Sequence, residues 1–409
     1  MTPGPAGRLR RSLATSFLMG FTAGVPLLVG ASLVQAWLTE SGADLKVIGA
    51  LGLTALPYAL KFTWAFWLDA FDPPFLAALG RRRGWLLLSQ AALFAGLWLL
   101  SFLDPRDLSA VAGLSLFLAF ASATQDAVVD AYRREDLAEA DLAPGAAAYI
   151  WGYRLGMLAV GGGGLMAAEA WGLPLVFRLT ALLMLIGPLT LTFSPEPDLP
   201  RPPRPAGPLE TVWRPLASFF QRPAAVHILL FIFFYKFGDQ LAGTLTTAYY
   251  LKLGYAKATI GAVSKGLGVL ATLAGVALGG WGARALGLKT SLWLFGFLQM
   301  ASTLGFVLLY YLPVHPAALG AVVGQENLAA GAGTSAFAAF MAVQTDRGFS
   351  ASQYALLTSL MALPRTLFSA PAGWLAETLG WPGFYGLSTA LALPGFVLLF
   401  HLSRRRVFA

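Results

Sequence analysis

The sequence predicts an all-α polytopic membrane protein, with twelve transmembrane helices in two pseudo-symmetric six-helix halves. Three observations carry this. The composition is 57% hydrophobic and only 12% charged over 409 residues, with a mean hydropathy of +0.67. Apolar segments of ~20 residues, each long enough to cross a ~30 Å hydrocarbon layer, follow one another with short breaks. A proline-rich interruption divides these segments six and six, and the two sets resemble each other.

Taken in order, the spans lie near residues 13–38, 46–70, 84–103, 108–134, 144–170, 172–194, 224–251, 257–283, 286–311, 317–345, 350–376 and 381–403. Arg8, Arg10 and Arg11 before the first apolar run imitate a signal peptide, but that run is long and leads straight into a second span, so it reads as the first helix. With the N-terminus inside, 18 of the 28 basic residues fall on cytoplasmic segments: Arg8, Arg10, Arg11, Arg81, Arg82, Arg83, Arg133, Arg134, Arg201, Arg204, Arg214, Arg222, Arg284, Lys289, Arg347, Arg404, Arg405 and Arg406. Lys46, Arg106, Arg178, Lys252 and Lys257 fall on the opposite loops. This positive-inside bias predicts that both termini are cytoplasmic. The remaining five, Lys61, Arg154, Lys236, Lys265 and Arg365, fall inside spans.

The interruption is Ser194–Pro208, with seven prolines in fifteen residues, a composition that favours extended chain. It predicts an N-terminal half at 1–194, a proline-rich cytoplasmic linker at 195–223 acting as a spacer, and a C-terminal half at 224–409. Aligned without gaps, the stretches from Glu169 and Glu377 share Glu169/Glu377, Gly172/Gly380, Pro174/Pro382 and Leu179/Leu387, each pair 208 residues apart (377 − 169). Val47-Ile48-Gly49-Ala50 and Thr259-Ile260-Gly261-Ala262 match in the same way. Parallel repeats of this kind place a solute site between the halves near the bilayer midplane, reached by rocking one half against the other.

Several function classes are excluded. There are no cysteines, hence no disulfide and no thiol nucleophile. His227, His315 and His401 are scattered and propose no metal site; no cofactor is expected. Neither HExxH nor GxSxG is present, so an enzyme is not expected. The net charge of +8 is spread over short loops, which sets topology rather than binding nucleic acid.

Charges within spans are costly in lipid unless they face a partner or a wet cavity. Asp126 and Asp130, at i and i+4 in Ala123–Arg134, share one helical face. With Arg133 and Arg134 at the water boundary, Asp130 lies ~5 Å inside it and Asp126 ~12 Å. Asp126 is the expected proton carrier, Asp130 a partner of the gate arginines, and Asp239 and Glu326 the next proton-coupling candidates. Lys61 reaches a depth like that of Asp126, so the two are a possible pair. The five intramembrane bases suit an anionic solute, and the candidate solute contacts are Tyr58, Lys61, Gln125, Tyr153, Arg154, Tyr235, Lys236, Lys265, Asn327 and Arg365. Asp69 ahead of Gly80-Arg81-Arg82-Arg83-Gly84, and the segment Gly280–Lys289 with Arg284, resemble the loop signature of the major facilitator superfamily, though the second copy lacks the acid. Asp69, Arg81, Arg82, Arg83, Arg133, Arg134 and Arg284 are the candidate gate, since an ion pair at a helix end can form in one conformation and part in another.

A longer set of motifs is more specific. Gly20–Pro26 with Gln35-Ala36-Trp37, Leu56–Trp64, Gly80–Trp85, Thr124-Gln125-Asp126, Asp130–Arg133 and Gly152-Tyr153-Arg154 resemble the AmpG-type anhydro-muropeptide permeases of the major facilitator superfamily. So do Tyr235–Asp239, Gly333-Thr334, Gln353–Leu357 and Leu363–Thr366. The resemblance runs over nearly the whole chain; it departs where Thr124 stands in place of an expected serine and where the chain ends soon after the twelfth span. It implies the major facilitator fold and a proton-coupled secondary transporter in the bacterial inner membrane. Such a protein imports anhydro-muropeptides, intermediates of cell-wall recycling, by alternating access. Its implied partners are that solute, protons and the lipid bilayer, and it is expected to be a monomer. The alternative is a facilitator for another solute, such as acetyl-CoA, a sugar or a drug.

Overall fold

A computed structural model of the chain describes residues 5–44, 51–198, 205–405 and 407–408. Lys46, the Val47–Ala50 half of one repeat pair, Arg201, Arg204 and Arg406 lie outside the described residues, as do the side chains of Lys265 and Arg365. The described residues are helical with short connections and contain no strand. The helices are α1 (Ala6–Glu40), α2 (51–70), α3 (Arg81–Leu100), α4 (Leu108–Asp136), α5 (142–171), α6 (Leu173–Phe193), α7 (Pro208–Phe220) and α8 (225–252). They continue with α9 (Lys257–Leu286), α10 (Leu288–Tyr311), α11 (Pro316–Val343), α12 (Ser350–Ala390) and α13 (Leu393–Arg404).

Each of the twelve expected spans is mainly helix over its described residues; the eleventh lies in α12, and the twelfth begins in α12 after a kink at Gly380 and continues as α13. Eight helices among the described residues are long and apolar enough to span a membrane unbroken, or nine with one bent pair counted as one. In span two the described α-helix covers only residues 56–70, with a break at Lys61 and a 3-10 turn at Leu51–Ala55 before it. Six-residue π turns interrupt α1 at Val29–Val34, α5 at Ala159–Gly164 and α9 at Ala262–Leu267.

The helices cluster into two compact units. The first holds residues up to Leu216 together with Thr345–Ser359; the second holds Ala217–Gln344 and the residues from Leu360 onward. The first has a core of Leu33, Leu93, Leu97 and Phe177. The second has one of Tyr249, Phe306, Phe384 and Tyr385.

The turns bear out the internal repeat in backbone geometry. Gly172 (φ 76°, ψ 153°) opens α6 and Gly380 (φ 67°, ψ 168°) kinks α12. Gly80 (φ 95°, ψ 163°) opens α3 and Gly287 (φ 81°, ψ 154°) opens α10. This region is essentially closed to residues with a Cβ.

The proline-rich segment is not spacer throughout. Glu196 accepts hydrogen bonds from the N–H groups of Arg82 (2.8 Å) and Arg83 (2.9 Å), placing a carboxylate at the positive end of α3. Tyr132 donates to the Pro195 carbonyl at 2.7 Å. Further on the chain forms α7, which starts at Pro208, where a missing N–H is tolerated. Outside the spans, Asp107 caps α4 by accepting from the N–H of Ala110 and the hydroxyl of Ser109. The Ala110 bond foremost holds its carboxyl below the usual range.

Within the first unit, α1 and α5 pack backbone to backbone. A Cβ at Gly24 would strike the carbonyl oxygen of Tyr153, and one at Gly152 that of Phe17. Gly24→Ala and Gly152→Ala should each lose about 1–3 kcal/mol through overpacking. Thermal unfolding in detergent should show a lowered midpoint for both. Gly113→Ala, where nothing lies within 4 Å of the added methyl, should leave the midpoint unchanged or raise it slightly.

Candidate functional site

At the α2–α3 turn, the first unit buries a network of full charges. The Arg82 guanidinium is 0% exposed. It meets Asp69 at 2.6 Å and Glu135 at 2.5 Å, and donates further to the Leu68 carbonyl and to Ser350, both at 3.0 Å. Arg81 donates to the Asp69 carbonyl at 2.5 Å and lies 3.8 Å from Glu135. The same two carboxylates hold the start of α12. Asp69 accepts from the N–H groups of Ala351 (3.2 Å) and Ser352 (2.8 Å) and from the Ser352 hydroxyl, and the Ser350 hydroxyl donates to Glu135. A carboxylate at an open helix N-terminus satisfies donors that have no partner within the helix.

Deeper in α4 lies a second cluster. Asp130 accepts from Arg133 at 3.0 Å and pairs with Lys61 at 3.9 Å. Arg133 also donates to the Tyr354 hydroxyl at 3.0 Å, and its guanidinium lies 4.9 Å from the centre of the Tyr149 ring. Asp126, one turn on, is 7% exposed. Lys61, Asp130 and the Tyr149 hydroxyl surround it, yet its Oδ1 is buried and accepts no hydrogen bond from any described residue. Depth alone suggested Asp126 as the partner of Lys61. The structure pairs Lys61 with Asp130 instead, because Lys61 sits at the break in α2 and reaches the neighbouring turn of α4.

The second unit carries its own polar group. The Lys236 ammonium donates to Gln299 at 2.9 Å and pairs with Asp239 at 3.6 Å. Glu326 accepts from Ser302 at 2.6 Å, and Asn327 from Thr272 at 2.9 Å. Asp239, Glu326, Asn327, Tyr250 and Lys257 line a cavity of about 660 Å³. The arrangement offers two carboxyls and an ammonium to one space, enough to exchange a proton or hold a charged group.

Of the other residues singled out from the sequence, Tyr58 and Tyr153 border the Asp126 cluster and the rest serve elsewhere. Gln125 is fully buried and donates to Thr22 at 3.3 Å, which makes it a packing contact between α4 and α1. Tyr235 stacks on Phe337 and donates to the Leu292 carbonyl at 2.8 Å, so it too is core. Tyr58 lines a small cavity beside Pro26 and Gln35. Tyr153 is half-buried near Asp126, and Arg154 is exposed. Among the gate candidates, Arg83 donates to the Leu191 carbonyl at 3.0 Å, Arg134 faces Glu139 and the Thr345 carbonyl at 3.5 Å, and Arg284 is exposed at the end of α9. Sequence reasoning missed Glu135, Glu196, Tyr149, Gln299, Ser302, Ser350 and Ser352. An acid directly after Arg133-Arg134 was the available signal for Glu135; the neutral partners carry none.

Known proteins resemble this chain closely enough to place it. The profile of the Major Facilitator Superfamily matches residues 12–325. The anhydromuropeptide permease of Escherichia coli (strain K12) is 40% identical over 389 residues, covering 94% of this chain and 78% of that protein. The putative transporter AmpG 4 of Rickettsia conorii (strain Malish 7) is 33% identical over 396 residues, covering 95% and 96%. Among solved structures, the human organic anion transporter MFSD10 aligns with a TM-score of 0.72 at 16% identity, over 97% of this chain and 100% of that one. A bacterial homologue of the iron transporter ferroportin, in an outward-facing state, aligns at 0.67 and 15% identity, over 97% and 99%. These two likenesses concern the fold. The chain belongs to the AmpG-type permeases of the Major Facilitator Superfamily, which are multi-pass membrane transporters and not enzymes.

Arg82 offers the sharpest test of the buried network. Arg82→Ala leaves Asp69 and Glu135 without their closest cation, and breaking a buried pair from one side costs about 3–5 kcal/mol. Its unfolding midpoint in detergent should fall well below wild type. Arg82→Lys should recover only part of the loss, since an ammonium cannot serve two carboxylates and a carbonyl in one plane.

Proposed function

We propose that this protein imports anhydromuropeptides from periplasm to cytoplasm by proton-coupled alternating access, lying in a bacterial inner membrane with both termini cytoplasmic. The observation that carries the solute is the 40% identity, over 94% of the chain, to a protein named for that activity. The charge inventory of the spans fits it, since an anionic solute suits Lys61, Arg154, Lys236, Lys265 and Arg365. The halves at 1–194 and 224–409 rock about the solute, with 195–223 linking them.

Proton coupling rests on Asp126. Its buried carboxyl has one oxygen free of hydrogen bonds, and Lys61 is engaged by Asp130. Such a group holds a proton when no cation faces it and releases it when a cation approaches. A shift of Lys61 from Asp130 toward Asp126 would supply that approach. Asp130 and Arg133 hold the passage closed on the cytoplasmic side. Asp69, Arg81, Arg82 and Glu135 hold the start of α12 in one state and release it in the other. In the C-terminal half, Asp239 and Glu326 border the cavity and stand next in line for the proton.

Uptake of labelled anhydro-disaccharide peptide into proteoliposomes tests the reading, with free sugar, free peptide and a CoA thioester as competitors. Competition by the CoA thioester alone would transfer the protein to another solute. Asp126→Asn should keep solute exchange but abolish accumulation driven by an inward proton gradient. Asp130→Asn should slow uptake without uncoupling it. Continued accumulation by Asp126→Asn would move the proton to Asp239 or Glu326.

A further inference from the structure

Helix α7, Pro208–Phe220, presents three distinct faces. At 100° per residue, Thr211, Pro215 and Phe219 fall on one side. This side is buried: Thr211 is 3% exposed and Phe219 0%, and the Pro215 carbonyl accepts from Gln353 at 2.9 Å. Glu210 and Arg214 fall on a second side, paired at 3.6 Å and half-buried. Leu209, Trp213 and Phe220 fall on the third, and they are 83%, 65% and 53% exposed. Single apolar side chains on a surface need no explanation, but three large ones in one helical stripe do.

The position of α7 in the chain decides what covers that stripe. It lies between two membrane spans, and its last residue, Phe220, is five residues from Ala225, where the next span begins. Five residues reach at most ~18 Å. The end of α7 is therefore held near the level at which α8 enters the hydrocarbon. A helix with this division of faces and a tryptophan on the apolar one suits the headgroup–acyl boundary. The Glu210–Arg214 pair neutralises itself on the flank, about 100° from the stripe, so no charge pattern calls for an acidic or basic protein partner.

We propose that α7 is an in-plane membrane anchor, with Leu209, Trp213 and Phe220 inserted among phospholipid acyl chains and Glu210 and Arg214 facing the headgroups and water. The occupant of the stripe is lipid. This holds independently of which solute is carried.

The full chain contains no cysteine, so single cysteines can be introduced and labelled without a background. Nitroxide labels at Leu209→Cys, Trp213→Cys and Phe220→Cys, and at Glu210→Cys and Arg214→Cys, would be read in phosphatidylcholine–phosphatidylglycerol liposomes. Collision rates with oxygen, which concentrates in lipid, are compared with those of a water-soluble nickel chelate. Oxygen should dominate at 209, 213 and 220 and the nickel chelate at 210 and 214, a change of sign in the logarithm of the ratio within one helical turn. Nickel dominance at the first three positions would overturn the proposal in favour of an aqueous helix. Exclusion of both reagents there, with an immobilised label, would overturn it in favour of a protein partner such as a second copy. If Trp213→Cys does not fold, Leu209→Cys and Phe220→Cys give the same reading, because both side chains are exposed.

Discussion

The rest of the structure depends on the pairing of full charges where water is scarce. Removing an ion from water costs several kcal/mol even after relaxation, and only close, well-bonded partners offset it. Arg82, wholly buried, is acceptable because two carboxylates, a backbone carbonyl and a hydroxyl surround it. Those carboxylates also satisfy the first N–H and hydroxyl groups of α12, so one arginine organises the end of α2, the start of α3, the end of α4 and the start of α12. Against this background Asp126 stands out as an acid whose nearest lysine is already committed elsewhere.

The helices were legible in the sequence because lipid imposes both a length and an apolar composition on a span. The Asp69–Arg82 element was legible too, as an acid at one helix end and bases at the next. Its second acid was not: Glu135 follows Arg133-Arg134 and looks like part of a solvated helix end. Depth along a helix made Asp126 a possible partner of Lys61, whereas the ion pair is with Asp130, since rise per residue measures height and says nothing of how far a lysine bends toward a neighbouring turn. Tyr235 and Gln125 were read as solute contacts by residue type, yet each has a partner within the core that no spacing reveals. Gln299 and Ser302, which complete the Lys236 and Glu326 group, are neutral and so drew no notice.

The prolines hid as much as they showed. Seven in fifteen residues correctly mark a break in the helices, but they also obscure Glu196, whose carboxylate caps α3, and α7, whose first residue is one of them. Composition speaks for the average of a segment, whereas these two features each depend on a single well-placed residue.

The four glycine turns carry a consequence for how such a repeat persists. At Gly80, Gly172, Gly287 and Gly380 the backbone adopts a conformation natural to right-handed amino acids, and glycine alone among the encoded residues mimics one. The symmetry between the halves is thus recorded as a pattern of handedness rather than as a string of shared letters. A side chain added at any of the four would strain the turn whatever space surrounds it, so the likeness of the halves rests there on backbone conformation alone.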